Sequence, residues 1–177
     1  MNRKLKTNGS PSDDCVPNVE RSNLTKKNDQ TPDYYKGSRT PEHATPPDFF
    51  EMLNRKFHFS LDPCATHQNA KCANYFTKQD DGLSRSWRGH TVFMNPPYGR
   101  VIVDWVKKAY EESRDPDTVV IGLLPAKTDT RWFHDWVYNK SIIQLWKGRL
   151  KFSGSDNSAP FGSMIVIWGL DFIDQNS

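Results

Sequence analysis

Apolar positions along this chain come in short runs whose spacing changes from run to run. In "TPPDFFEML", residues 45–53, Phe49, Phe50 and Leu53, followed by Phe57, recur at the spacing of one helix face. Pro46 and Pro47 at the entry, where a missing N–H costs little, and Asp48 and Glu51 in the first turn mark a helix start. "FHFSLD", 57–62, alternates apolar and polar and predicts a strand ending at Asp62-Pro63. Residues 64–89 are polar with scattered aromatics and support no assignment. Thr91 to Met94 reads as a short buried strand. Val101, Ile102, Trp105, Val106, Ala109 and Tyr110 make one apolar stripe and predict a helix over about 100–114. "TVVIGLL", 118–124, is a continuous apolar strand of the kind covered on both faces. A helix over about 129–140 follows, with Trp132, Phe133, Trp136 and Val137 inward. Strands are expected at 142–146 and 148–152, a Gly/Ser/Asn loop at 153–159, and a last strand at 163–168.

The order is β-α-β-α-β, closing with strands. It predicts an α/β fold with a mostly parallel sheet. In such sheets ligands bind beyond the carboxyl ends of strands. Asp62 and Asn95 each sit just past a predicted strand end, so one crevice can hold both.

Composition divides the chain. Residues 1–40 carry eight Lys/Arg against five Asp/Glu and few aliphatics, so they read as a disordered, basic, polar tail. The predicted domain spans 41–177 and is charge-neutral, so the net +3 of the whole chain lies in the tail. A tail of that sign is either a solvated arm or an aid in holding a polyanion. No apolar run approaches the roughly 20 residues of a membrane helix, and "MNRKLKTNGS" lacks the apolar core of a secretory signal. The three cysteines, Cys15, Cys64 and Cys72, are too few for a disulfide scaffold and point to a reducing, cytoplasmic setting. Their spacing with the histidines fits no metal site.

The chemistry concentrates in "HTVFMNPPYGRV", residues 90–101. Pro96 and Pro97 remove two backbone donors and fix φ. The loop becomes rigid and acceptor-only, and the Asn95 side-chain oxygen adds another acceptor. Tyr98 supplies a flat ring. Such a set suits an exocyclic amino group on a planar ring. Two acceptors on its N–H groups fix it and favour positive charge developing on nitrogen as it attacks. No covalent intermediate is needed, so Cys64 is expected to be a small residue beside the site, not a nucleophile. Taken alone, Asn-Pro-Pro-Tyr is equally a turn sequence.

The wider pattern carries a resemblance. "TPPDFFEML", "FSLDPCA" (59–65), "DGL" (81–83) with Trp87, "FMNPPYG" (93–99), the Trp105 helix, "LLPAKTDTRWF" (123–133), "GRLKF" (148–152) and "APFGSMIVI" (159–167) resemble, in order, the bacteriophage DNA N6-adenine-methyltransferase (Dam) family. The resemblance covers roughly residues 43–169. It implies a Rossmann-like, three-layer, S-adenosylmethionine-dependent methyltransferase. The expected substrate is double-stranded DNA with its target adenine flipped out. It also implies a phage or prophage origin, action in the bacterial host cytoplasm and a link to restriction-modification.

By this resemblance Asn95 and the Pro96 carbonyl accept from adenine N6, Pro97 stiffens the loop, and Tyr98 stacks on the base. Asp62 resembles the acidic residue of the donor motif, and Thr45-Pro46 the segment bordering the donor's methionine end. Asp81 is a candidate contact to the donor's adenine. Plainer readings stand beside these: Asp62 as a cap or turn, Asp81-Gly82 as a turn, and Thr45 as an N-cap. Arg100, Lys147, Arg149 and Lys151 are candidates for DNA contact, against a plain surface hairpin. Trp105, Trp132 and Trp136 are expected in the core.

Two departures stand out. "DPCATHQNA" contains no glycine, so the glycine-rich turn common after the first strand of methyltransferases is missing, and the donor's carboxylate has no assigned partner. The short segment from Asp62 to the next clear strand predicts a sheet reduced on that side. Rival readings are methylation of an RNA adenine or a protein glutamine amide, or a non-catalytic DNA-binding relative.

Overall fold

The computed structural model describes residues 44–152 and 159–170. The tail expected over 1–40 and nearly all of the loop expected at 153–159 lie outside the described residues. The elements are α1 (Pro47–Phe57), β1 (Leu61–Asp62), β2 (Asn74–Tyr75), β3 (Thr91–Met94), α2 (Ile102–Glu112), β4 (Val119–Pro125), α3 (Arg131–Trp136), β5 (Ile142–Leu145) and β6 (Ser163–Trp168). The six strands form one mostly parallel sheet in the order β2-β1-β3-β4-β6-β5. Strand β1 runs parallel to β2 and β3, and β3 parallel to β4. Strand β6 lies antiparallel between β4 and β5, so β5 points the same way as β4 without touching it.

Strand alternation sorts the core into two halves. Val92, Met94, Val120, Leu124, Met164, Val166 and Trp168 face the side covered by α2 and α3. Phe93, Ile121, Leu123, Ile165 and Ile167 face the side covered by Phe49, Phe50 and Leu53 of α1. The result is three layers: helices, sheet, helix. Gly122 makes room within the first half. A Cβ there would stand 3.0 Å from both Met94 Cε and Trp168 Cζ3. Among the described residues, no helix is long and apolar enough to cross a membrane.

Three expectations need correction. Helix α1 runs through Phe57, so the strand expected over 57–62 shrinks to Leu61–Asp62. His58 ends the helix in the left-handed region at φ 54, its N–H on the Asn54 carbonyl, while Asn54 Oδ1 accepts from Phe59 N–H at 2.9 Å. Helix α3 stops at Trp136 because the chain turns tightly, with Tyr138 N–H on the Phe133 carbonyl at 2.8 Å and Asn139 left-handed. Residues 148–152 form no strand. Leu150 and Phe152 are buried and Arg149 and Lys151 exposed, so the alternation is real but has no ladder beside it. The unassigned stretch supplies one two-residue strand, β2, which fits a sheet reduced on that side.

Candidate active site

Strands β1 and β3 are parallel neighbours, with Leu61 opposite Val92. Their carboxyl ends therefore open on the same side, and the chain leaves them through Asp62-Pro63 and Asn95-Pro96-Pro97. Between these exits lies a cavity of about 380 Å³, within the usual range for small-molecule sites. Asp62, Asn95, Pro97, Thr45 and Asp81 all line it. The crevice expected from strand order is thus present and holds both residues used to predict it.

Asp62 is 5% exposed. Its Oδ1 accepts from Cys64 N–H at 3.3 Å and its Oδ2 from Lys71 N–H at 3.1 Å. Burial pushes its carboxyl up to about 6, while those two amides and the Lys71 ammonium pull the other way. A carboxylate left this poorly compensated favours a cationic partner. Cys64 also lines the cavity. Burial and the charge of Asp62 raise its thiol well above the ordinary value, so it is not the thiolate a nucleophile would need.

Thr45 is 3% exposed, and its Oγ1 accepts from Asn95 Nδ2 at 3.0 Å. That bond turns the Asn95 amide so that Oδ1 points away from Thr45. Pro46 sits one residue further on, at the start of α1, and does not line the cavity.

Asp81 lines the cavity from within a turn. Asp80 Oδ2 accepts from Thr77 N–H and Oγ1 at 2.8 and 2.7 Å, Asp81 is left-handed at φ 52, and the Gly82 carbonyl accepts from Trp87 Nε1 at 2.9 Å. Gly82 lies so close to the exit of β1 that a Cβ would stand 2.0 Å from the Pro63 carbonyl oxygen. Trp87 stacks on Trp105, ring centroids 6.1 Å apart. Trp105 is buried as expected, yet it also lines the cavity. Lys71, Lys78 and Asp104 line it too, and sequence reasoning did not single them out. Asp104 follows a helix stripe already recognised. Lys71, nine residues past Asp62 in an irregular segment, gave no signal.

Tyr98 and Pro96 stand apart from the cavity lining. Tyr98 O–H donates to the Leu123 carbonyl at 3.2 Å, at the carboxyl end of β4. Its ring meets Phe161 and Phe152 edge-on, at 5.4 and 6.2 Å. Asn95-Pro96-Pro97-Tyr98 therefore touches the cavity at one end and an aromatic group at the other. Phe161 is a member of that group that sequence reasoning left without a role.

The four candidate cations, Arg100, Lys147, Arg149 and Lys151, are exposed. Because β5 points the same way as β4, residues 146–152 leave the sheet at the same edge as Asn95, and so does Lys127 after β4. Arg149 Nη1 reaches the Ala159 carbonyl at 3.4 Å.

A sequence profile described as DNA N-6-adenine-methyltransferase (Dam) matches residues 36–173. The chain is 32% identical over 116 residues to a DNA N-6-adenine-methyltransferase of Haemophilus phage HP1 (strain HP1c1), covering 64% of this chain and 66% of that protein. It is 31% identical over 119 residues to a DNA N-6-adenine-methyltransferase of Escherichia phage T1, covering 63% of this chain and 49% of that protein. The chain thus spans just under two thirds of one relative and about half of the other.

Proposed function

The chain belongs to the DNA N-6-adenine-methyltransferase (Dam) family, and from that premise we propose that it transfers a methyl group from S-adenosylmethionine to the N6 amino group of an adenine in DNA. The observation that carries this reading is the placing of Asp62 and Asn95 at the ends of neighbouring parallel strands, on one cavity. The fold is then a Rossmann-like methyltransferase, with its donor in the crevice.

The cavity fits such a donor. It offers a buried, under-compensated carboxylate for the ammonium group, further charged groups of both signs, and apolar walls from Phe93, Leu83 and Trp105 for the nucleoside. When bound, S-adenosylmethionine supplies a methyl group on a positively charged sulfur. Asn95 Oδ1 and the Pro96 carbonyl take the two N6 hydrogens and hold the nitrogen in line. They stabilise the positive charge that grows on it as the N–C bond forms and the methyl–sulfur bond breaks to leave a neutral thioether, until the N6 proton passes to water. Pro96 and Pro97 contribute no N–H to compete. Tyr98, with Phe161 beside it, forms the face against which a flipped adenine lies. Flipping is required because a paired adenine cannot present N6 inside a closed pocket. Exposed Arg100, Lys127, Lys147 and Lys151 face the phosphates. The setting is the cytoplasm of a bacterial host.

Asn95→Ala tests the assignment. DNA from cells expressing the wild-type chain is expected to contain N6-methyladenine by mass spectrometry of nucleosides, and the variant none. Binding of S-adenosylhomocysteine by calorimetry should survive in the variant. Near-normal methylation by Asn95→Ala would remove Asn95 from the chemistry.

A further inference from the structure

We propose that the side-chain ammonium of Lys71 holds the α-carboxylate of the donor's amino-acid end, in place of the backbone donors that a glycine-rich turn would supply. The inference rests on the donor reading above.

The loop after β1 has almost no backbone donor left to give. Pro63 has no N–H. Cys64 and Lys71 spend theirs on the Asp62 carboxylate. Ala65 N–H goes to the Phe76 carbonyl at 3.0 Å, and Thr66 N–H to Asn69 Oδ1 at 2.6 Å. Asn69 and Ala70 turn back onto Thr66. His67 and Gln68 sit at the exposed tip and do not line the cavity. A carboxylate entering here finds no nest of amides, so its charge must be met by a side chain.

Among the described residues, two cations line the cavity, Lys71 and Lys78. An amino acid carries its ammonium and carboxylate on one carbon, so the two partners must be neighbours. If Asp62 takes the ammonium, the carboxylate partner must stand beside Asp62. Lys71 does: its own amide is bonded to Asp62, and its ammonium is the cation that acts on that carboxyl. The Lys71 ammonium stands over the Phe50 ring, with Nζ 5.8 Å from the ring centroid. Among the described residues, Nζ makes no ion pair; those present involve Arg88, Lys107, Lys108 and Arg131. Asp62 and Lys71 together form a two-signed clamp for a zwitterion.

The test is calorimetry on the full chain with two probes: S-adenosylhomocysteine, and its decarboxylated analogue with hydrogen in place of the α-carboxylate. Lys71→Met should weaken S-adenosylhomocysteine binding by about tenfold to a hundredfold, the range of one charge-assisted hydrogen bond. It should leave the analogue's affinity unchanged, which also shows that the variant is folded. Equal loss for both probes, or no loss for either, overturns the role of Lys71 while leaving the donor site standing. Failure of the wild-type chain to bind S-adenosylhomocysteine overturns the donor reading, and this inference with it.

Discussion

Thr45 and Asn95 are fifty residues apart in the chain and joined by one hydrogen bond, from Asn95 Nδ2 to Thr45 Oγ1 at 3.0 Å. The hydroxyl oxygen lies at the entry to α1, the amide at the exit of β3. The resemblance implied that Thr45 borders the donor; the geometry gives it a second task, setting which way the Asn95 amide faces. Thr45→Val keeps the shape and removes the acceptor. We expect it to lower kcat for DNA methylation by about tenfold to a hundredfold, as loss of positioning does, with S-adenosylhomocysteine affinity nearly unchanged. Thr45→Ser should restore most of the rate. If the loss falls on donor affinity instead, Thr45 is a donor contact and not a positioning residue.

Donor binding should depend on pH through Asp62. The carboxyl titrates at about 6, against an ordinary 3.8, because it is buried. An ammonium ligand needs the charged form, which is present above about 6 and lost as pH falls through it. Affinity for S-adenosylhomocysteine, measured by calorimetry between pH 5 and 8, should therefore fall toward the acid end, and Asp62→Asn should bind weakly and flatten the profile. The stability of the unliganded chain should move the other way. Between 3.8 and about 6 the folded chain holds a proton that the unfolded chain has released, so raising the pH across that window destabilises the fold. The loss is on the order of 2–3 kcal/mol. Donor affinity independent of pH over this range would place the ammonium elsewhere.

Much of this site was legible because strand order fixes where strand ends lie. Thr118 to Leu124 and Ser163 to Trp168 read as strands from apolar runs alone, and the exits at Asp62 and Asn95 followed. What stayed hidden depends on contacts that periodicity does not encode. Phe57 fits both a helix stripe and a strand alternation, and Asn54 with left-handed His58 decides for the helix. Strand β2 is polar and two residues long, so it has no pattern. Leu150 and Phe152 alternate with Arg149 and Lys151 as a strand would, yet no neighbour pairs with them as a ladder. Lys71 enters the cavity through an irregular loop whose course is set by Asn69 and Asp62 bonds, not by propensity.

Gly82 tests how the cavity wall is held. A Cβ there would meet the backbone carbonyl oxygen of Pro63 at 2.0 Å, with the Trp105 ring at 3.1 Å. Neither neighbour is a flexible tip. Gly82→Ala should cost about 1–3 kcal/mol of stability, seen as a lower Tm, and should weaken S-adenosylhomocysteine by moving Asp81 and Pro63. Gly162→Ala is the control: its nearest contact would be Ala126 Cβ at 3.8 Å, an ordinary distance, and its Tm should match the wild type. A wild-type Tm for Gly82→Ala would mean that the 81–84 turn is not packed on the β1 exit.

Lys147 and Lys151 test the nucleic-acid edge. Both are exposed on a segment whose apolar members, Leu150 and Phe152, anchor it in the core beneath. They are thus held at the surface on the side where Asn95 leaves the sheet, and they differ from Arg149, which reaches the Ala159 carbonyl. If each meets one phosphate, each releases its share of condensed counterions on binding. The slope of log affinity against log salt should then become shallower by about one for each lysine replaced by alanine. Fluorescence anisotropy with a labelled duplex across a salt series reads this directly. The weakening should be uniform across duplex sequences, because phosphates carry no base identity. An unchanged salt slope in the Lys147→Ala, Lys151→Ala double variant would remove this segment from the DNA-binding edge.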